Sequence, residues 1–140
     1  MVTRQALSVL LVAAVLLVGC GSGGGHPAGS VALRSPVEYQ SAVAARHGFV
    51  VNVHTPYAGG IAGTDAFIPF DQIGAHTADL PADKSAPLYI YCRTGHMSAE
   101  ATPALQRLGY TNVIDLKGGM QAWEAAGLHL IQRESSGTIR

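Results

Sequence analysis

The chain has 140 residues, which is room for one domain, and its formal net charge is zero. Charged residues make up only 13% of it and are scattered, so no basic face exists for nucleic acid and none is expected as a partner. Hydrophobic residues reach 48%, but many fall in the first eighteen positions, so the rest of the chain is less apolar than the total implies.

In chain order, the first segment is "MVTRQALSVLLVAAVLLVGC". Arg4 gives it a short basic start, and residues 6–18 are apolar except for Ser8. About 13 such residues fall short of the ~20 that span a bilayer and suit the apolar stretch of a signal peptide. The closing "LVGC" resembles a bacterial lipobox. That resemblance implies cleavage after Gly19, acylation of Cys20 with chains such as palmitate, export, and anchoring to the membrane on its extracytoplasmic or periplasmic side. The competing reading is an uncleaved anchor helix. "GSGGGHPAGS" then reads as a flexible tether. The expected organisation is a signal peptide over 1–19, the lipidated cysteine and tether over 20–30, one folded domain over 31–132, and a polar tail over 133–140. If lipid takes Cys20, Cys92 has no disulfide partner, and in an oxidising compartment an unpaired thiol is a liability unless it is buried or used.

"SPVEYQSAVAARHG" predicts a helix with Ser35 as N-cap, Pro36 at the first helical position, Glu38 closing a capping box, and Gly48 as the stop. "FVVNVH", residues 49–54, is a β-branched run that suits a buried strand. "TPYAGGIAGT" is a loop; "AFIPFDQIGAH" gives a short strand and then a short helix from Phe70; "ADLPADKSAP" is a second loop. "LYIYC" is an apolar strand, and "SAEATPALQRLG" a helix with Leu105 and Leu108 inward, Pro103 near its start and Gly109 as its stop. "NVIDL" is a further strand, "GGM" a turn, and "QAWEAAG" a short helix ending at Gly127. Tyr89, Tyr91, Trp123 and Leu128 read as packing residues, and Asp65 and Asp115 as braces for neighbouring loops. Helices alternate with strands that are apolar throughout, the pattern of an α/β fold with a parallel sheet covered by helices on both faces.

Cys92 stands where the apolar run "LYIYC" meets the helix, in the loop "CRTGHMS". Ligand sites in open α/β sheets lie at this end of the strands. The first N–H groups of a helix have no partner within it, and the positive end of its dipole lies there, so an anion such as a thiolate is stabilised. Gly95 allows the loop to curl into a nest of N–H groups, and Ser98 is expected to cap the helix and to donate its hydroxyl toward the sulfur. The same position also suits a small buried hydrophobe, which is what most free cysteines are.

Two stretches together resemble the rhodanese family. "VVNVHTPYAGGIAGTDAFIPF" is similar to its first signature, and "YCRTGHMSAEATPALQRLGYTNVIDLKGGMQAW" to its second half, with the active-site loop, the "LGYTNV" return and "LKGGMQAW" in order. The resemblance implies a single rhodanese-like domain with a parallel sheet of about five strands, and a sulfurtransferase. Cys92 is then the nucleophile that carries sulfane sulfur as a persulfide. Arg93, Thr94, Gly95, His96, Met97 and Ser98 form the substrate loop, and Gly118 and Gly119 form a tight turn facing it. The partners implied are a small sulfur-containing anion of the thiosulfate kind and a thiol or cyanide-like acceptor, with no cofactor beyond the persulfide.

The departures from that pattern lie in the pocket. Met97 stands where the family commonly has arginine, Asn52-Val53-His54 where it has Asp-Val-Arg, and Gly59-Gly60 where it has Gly-His. His54 and His96 are possible replacements for the lost charges, although a solvated or core-edge histidine is the simpler reading of each. Phosphatases and arsenate reductases of related fold need an arginine six residues after the cysteine to hold an oxyanion, and that residue is Ser98. The other histidines, 26, 47, 76 and 129, lack metal-ligand spacing, so no metal is expected. Two alternatives to catalysis stay open: a non-catalytic rhodanese-homology module binding a partner protein or small anion at the membrane, and a thiol that senses oxidants.

Overall fold

The computed structural model describes residues 30–132. The expected signal peptide, the Cys20 lipidation site, the tether up to residue 29 and the tail from residue 133 lie outside those residues. Five parallel strands, β1 (Ser30–Arg34), β2 (Phe49–Asn52), β3 (Ala66–Phe67), β4 (Leu88–Tyr91) and β5 (Asn112–Leu116), form one sheet in the order β1-β5-β4-β2-β3. Three helices cover it: α1 (Pro36–Ala44), α2 (His96–Arg107) and α3 (Gly119–Ala125). The α/β parallel sheet read from the sequence is the fold found.

Alternation along the strands divides the core into two layers. Val51, Val53, Leu88, Ile90, Cys92 and Val113 face α2 and its Ala101 and Leu105. Val50, Tyr89, Tyr91, Ile114 and Leu116 face the other way, onto Tyr39 and Val43 of α1 and Met120 and Trp123 of α3. A parallel sheet needs this cover on both faces, because βαβ crossovers place a helix over each of them. Trp123, Tyr89 and Tyr91 pack as expected, with edge-on ring contacts from all three to Tyr39.

The capping box of α1 is present: Glu38 N–H donates to Ser35 Oγ and Ser35 N–H to the Glu38 carboxylate. Its end is not where the sequence placed it. The helix stops at Ala44, and Arg46, not Gly48, takes the left-handed conformation that turns the chain (φ +55°). Gly48 is required for another reason: a β-carbon there would collide with the Pro87 carbonyl oxygen. The helix expected from Phe70 is two single-turn 3-10 helices, Ile73–Ala75 and Thr77–Asp79. Strand β1, with Ser30 already in it, was not anticipated.

Candidate active site

Strand β4 ends at Tyr91, so Cys92 is the first residue past the sheet at the C-terminal end of its central strand. The turn back into α2 needs a left-handed residue, and Gly95 supplies it (φ +95°) as the N-cap, so the helix starts at His96, two residues ahead of the Ser98 start read from the sequence. The first intrahelical bond is Ala99 N–H to the Gly95 carbonyl, so the N–H groups of His96, Met97 and Ser98 have no partner of that kind. Gly95 N–H donates to Cys92 Sγ over 3.0 Å. The loop's other side is tied to the start of α3: Met120 N–H donates to the Cys92 carbonyl (2.9 Å) and Gln121 N–H to that of Arg93 (3.0 Å). A side chain at Gly119 would strike the Cys92 and Arg93 backbone, so the Gly118–Gly119 turn does face the loop.

Cys92 is 1% exposed and belongs to the α2-side core, so it is at once the buried apolar residue and the loop thiol that the sequence offered as alternatives. The other loop residues divide by exposure. Arg93 and Thr94 are exposed, and Gly95 and Met97 are half-buried, with Met97 packed against the core cluster that holds Cys92. His96 points away into solvent and pairs with Glu100 across 3.0 Å, so it does not replace a pocket charge. His54 is half-buried, and burial followed by the nearby Arg93 guanidinium holds its imidazole below the usual histidine range, leaving it neutral at pH 7. Asn52, in place of the family's aspartate, is a backbone brace: its amide donates to the Gly59 carbonyl, and its oxygen accepts from His54 N–H. Asp65 braces as expected, accepting from Val50 N–H and Arg46.

Ser98 departs from its expected role. It lies in the first turn of α2, not at its cap, with Oγ 3.6 Å from Cys92 Sγ, 3.1 Å from the Gly95 carbonyl and 2.9 Å from Asp115 Oδ2. The hydroxyl has one proton, and the shortest contact goes to Asp115, not to the sulfur. Asp115, read from the sequence only as a loop brace, therefore joins the site. Burial pushes its carboxyl up to about 6, against the opposing pull of the bonds from Ser98 and the Leu116 N–H. The signal was an acid inside the apolar strand "NVIDL", where a doubly covered sheet leaves no water for it.

A cavity of about 530 Å³ is lined by residues that include Arg46, Trp123, Leu128 and His129 and by none of residues 92–98. A smaller cleft is lined by His54, Tyr57, Phe67 and Pro69. Among the described residues no group of three His, Cys, Asp or Glu side chains is placed to hold a metal ion.

Comparison with known proteins converges on one family. The model of the rhodanese-like domain matches residues 24–126. A sulfurtransferase of Allochromatium vinosum is 32% identical over 87 residues, 61% of this chain and 79% of that protein. A probable adenylyltransferase/sulfurtransferase MoeZ of Mycobacterium tuberculosis is 44% identical over 50 residues, 36% of this chain but only 12% of that larger protein. Among solved structures, a rhodanese-like domain protein of Staphylococcus aureus superimposes with TM-score 0.59 at 26% identity, over 72% of this chain and 98% of that one. A rhodanese-related protein of Thermoplasma volcanium superimposes with TM-score 0.61 at 23% identity, over 71% and 97%, which is a likeness of fold.

Proposed function

This chain belongs to the rhodanese-like domain family, and from that membership we propose that it is a sulfurtransferase working through a persulfide on Cys92. The observation that carries the reading is the sulfur's seat: Cys92 Sγ lies at the N-terminus of α2 and accepts the Gly95 N–H at 3.0 Å. A negative sulfur there meets the Gly95 N–H and the positive end of the helix dipole. The Cys92 thiolate attacks the outer sulfur of a thiosulfate-like donor. The donor's S–S bond breaks, and sulfite leaves with the bonding pair. The terminal persulfide sulfur then carries the negative charge until a thiolate or cyanide attacks it and releases Cys92. No cofactor enters this scheme. Residues 93–98 form the donor's binding loop, with exposed Arg93 as the cation that draws the anion in.

The N-terminal reading belongs to the same proposal: the mature chain is lipid-anchored through Cys20 outside the cytoplasm, where small thiols are its acceptors. Mass analysis of the Cys92 peptide after incubation with thiosulfate, and again after cyanide, tests the function. One sulfur gained and then removed is the expected result. A thiol that stays unmodified yet remains alkylatable overturns the proposal. One observation favours a second reading, a module that binds a partner protein or small anion without turnover: the 1% exposure of Cys92 beneath loop residues that include Met97.

A further inference from the structure

Beneath Cys92 lies a carboxyl group that the sulfur-transfer scheme leaves unused. Asp115 is 4% exposed, its Oδ2 accepts from Ser98 Oγ, and its Oδ1 has no hydrogen-bond partner. The groups facing it offer no positive charge. Leu33 and Ile90 are its register neighbours on β1 and β4. Ser98 reaches it from α2, and Cys92 lies beyond Ser98. Tyr39 of α1 faces the sheet's other side, where burial first and then the charges of Tyr91 and Asp115 push its phenol well above the usual range, so it stays protonated. Among the described residues no cation pairs with Asp115. A carboxylate so enclosed has a strong tendency to take a proton, which agrees with its rise to about 6. Beyond the Ser98 hydroxyl that already donates to it lies the thiol, 3.6 Å from Ser98 Oγ.

We propose that Asp115 is the proton acceptor for Cys92, acting through Ser98 as a two-step relay. The proposal rests on the sulfur-transfer reading only in that the thiolate it produces is the nucleophile. In the resting arrangement Ser98 donates to Asp115 and offers a lone pair to the Cys92 S–H. In the relay the S–H bond breaks and leaves its electron pair on sulfur. That proton moves to Ser98 Oγ as the serine's own proton passes to Asp115 Oδ2. The trio's charge stays at minus one, nothing is oxidised or reduced, and the serine hydroxyl ends pointing at the new thiolate beside the Gly95 N–H. Neutralising Asp115 also removes the one like charge that would oppose an anionic sulfur at this depth. Asp115 never touches the donor, so it is a positioning residue for Cys92.

The test is the pH dependence of iodoacetamide alkylation in the full chain, followed on the Cys92 peptide so that Cys20 does not interfere, for the parent protein, Asp115→Asn and Ser98→Ala. The parent should show a limb at acid pH that follows the ionisation of Asp115 and then a plateau through neutrality. Both variants should lose that limb and react roughly tenfold more slowly at pH 7, rising only toward alkaline pH. If Asp115 acts only as a buried like charge, Asp115→Asn instead reacts faster at pH 7. That result, or an unchanged profile, overturns the relay. Carbon-13 titration of the Asp115 carboxyl supplies a readout that does not require the reagent to reach the sulfur. At pH 7 it should carry more proton in the parent than in Cys92→Ser, whose thiol is gone, and identical titrations overturn the relay. The two readings separate cleanly. A parent with the acid limb that gains no sulfur from thiosulfate sinks the sulfur transfer alone, and a relay variant that still loads sulfur at alkaline pH upholds sulfur transfer.

Discussion

Gly119 lies so close to Cys92 that no β-carbon fits between them: one built there would strike the Cys92 and Arg93 carbonyls. Its φ of +60° also lies in the left-handed region. The contact is what lets Met120 N–H reach the Cys92 carbonyl and hold the loop at the end of β4. Gly119→Ala should therefore destabilise the domain by about 2 kcal/mol or more in urea unfolding. It should also slow sulfur loading of whatever folded fraction remains, because the thiol's cradle shifts with the loop. A loss below half that size would mean that the loop moves aside freely.

Cys92→Ser separates chemistry from packing. The serine hydroxyl can accept the same Gly95 N–H, so the melting temperature should fall only slightly, with a cost of about 1 kcal/mol for a buried hydroxyl. Thiosulfate should then add no sulfur to residue 92. Retention of transfer by the variant would place the chemistry elsewhere.

Asp115 makes the domain's stability depend on pH with a definite sign. The folded state holds its proton up to about pH 6, whereas the unfolded chain releases it near 3.8. Folding therefore takes up a proton between those values, and stability falls as pH rises through that window. Above about pH 6 the ionised carboxylate carries a penalty of about 3 kcal/mol. Asp115→Asn, which can still accept from Ser98, should gain stability of that order at pH 8 and almost nothing near pH 4. Paired urea titrations at the two pH values check both the sign and the window.

Met97→Arg would return a cation to the position where family members commonly have one. The side chain is half-buried against the core, so the exchange should cost about 1 kcal/mol of stability. For an anionic donor the KM should fall several-fold, and the gain should shrink at high salt. An unchanged KM would show that the loop's N–H groups and Arg93 already suffice.

What the sequence made legible was local or periodic. The Ser35–Glu38 box announces α1 with adjacent residues, and the apolar runs "FVVNV" and "LYIY" announce buried parallel strands without reference to anything distant. What escaped was decided across space. Strand β1 has Val31 at 38% and Leu33 at 59% exposure, so it shows neither a buried run nor a clean alternation, and only pairing with β5 makes it a strand. Gly48 was read as a helix stop because its actual constraint, the Pro87 carbonyl, lies 39 residues along the chain. Ser98 was assigned to a cap because Asp115, which claims its proton, lies 17 residues along the chain on another element.

The direction of the sheet carries a consequence for how the molecule would stand on a surface. Ser30 opens β1 level with Asn112, at the pole where the strands begin, while Cys92 crowns the pole where they end. The two are separated by the length of a strand, roughly 15 Å. Under the proposed lipid anchor, attachment would be at the first pole, and the loop over the buried sulfur would sit at the pole farther from the point of attachment.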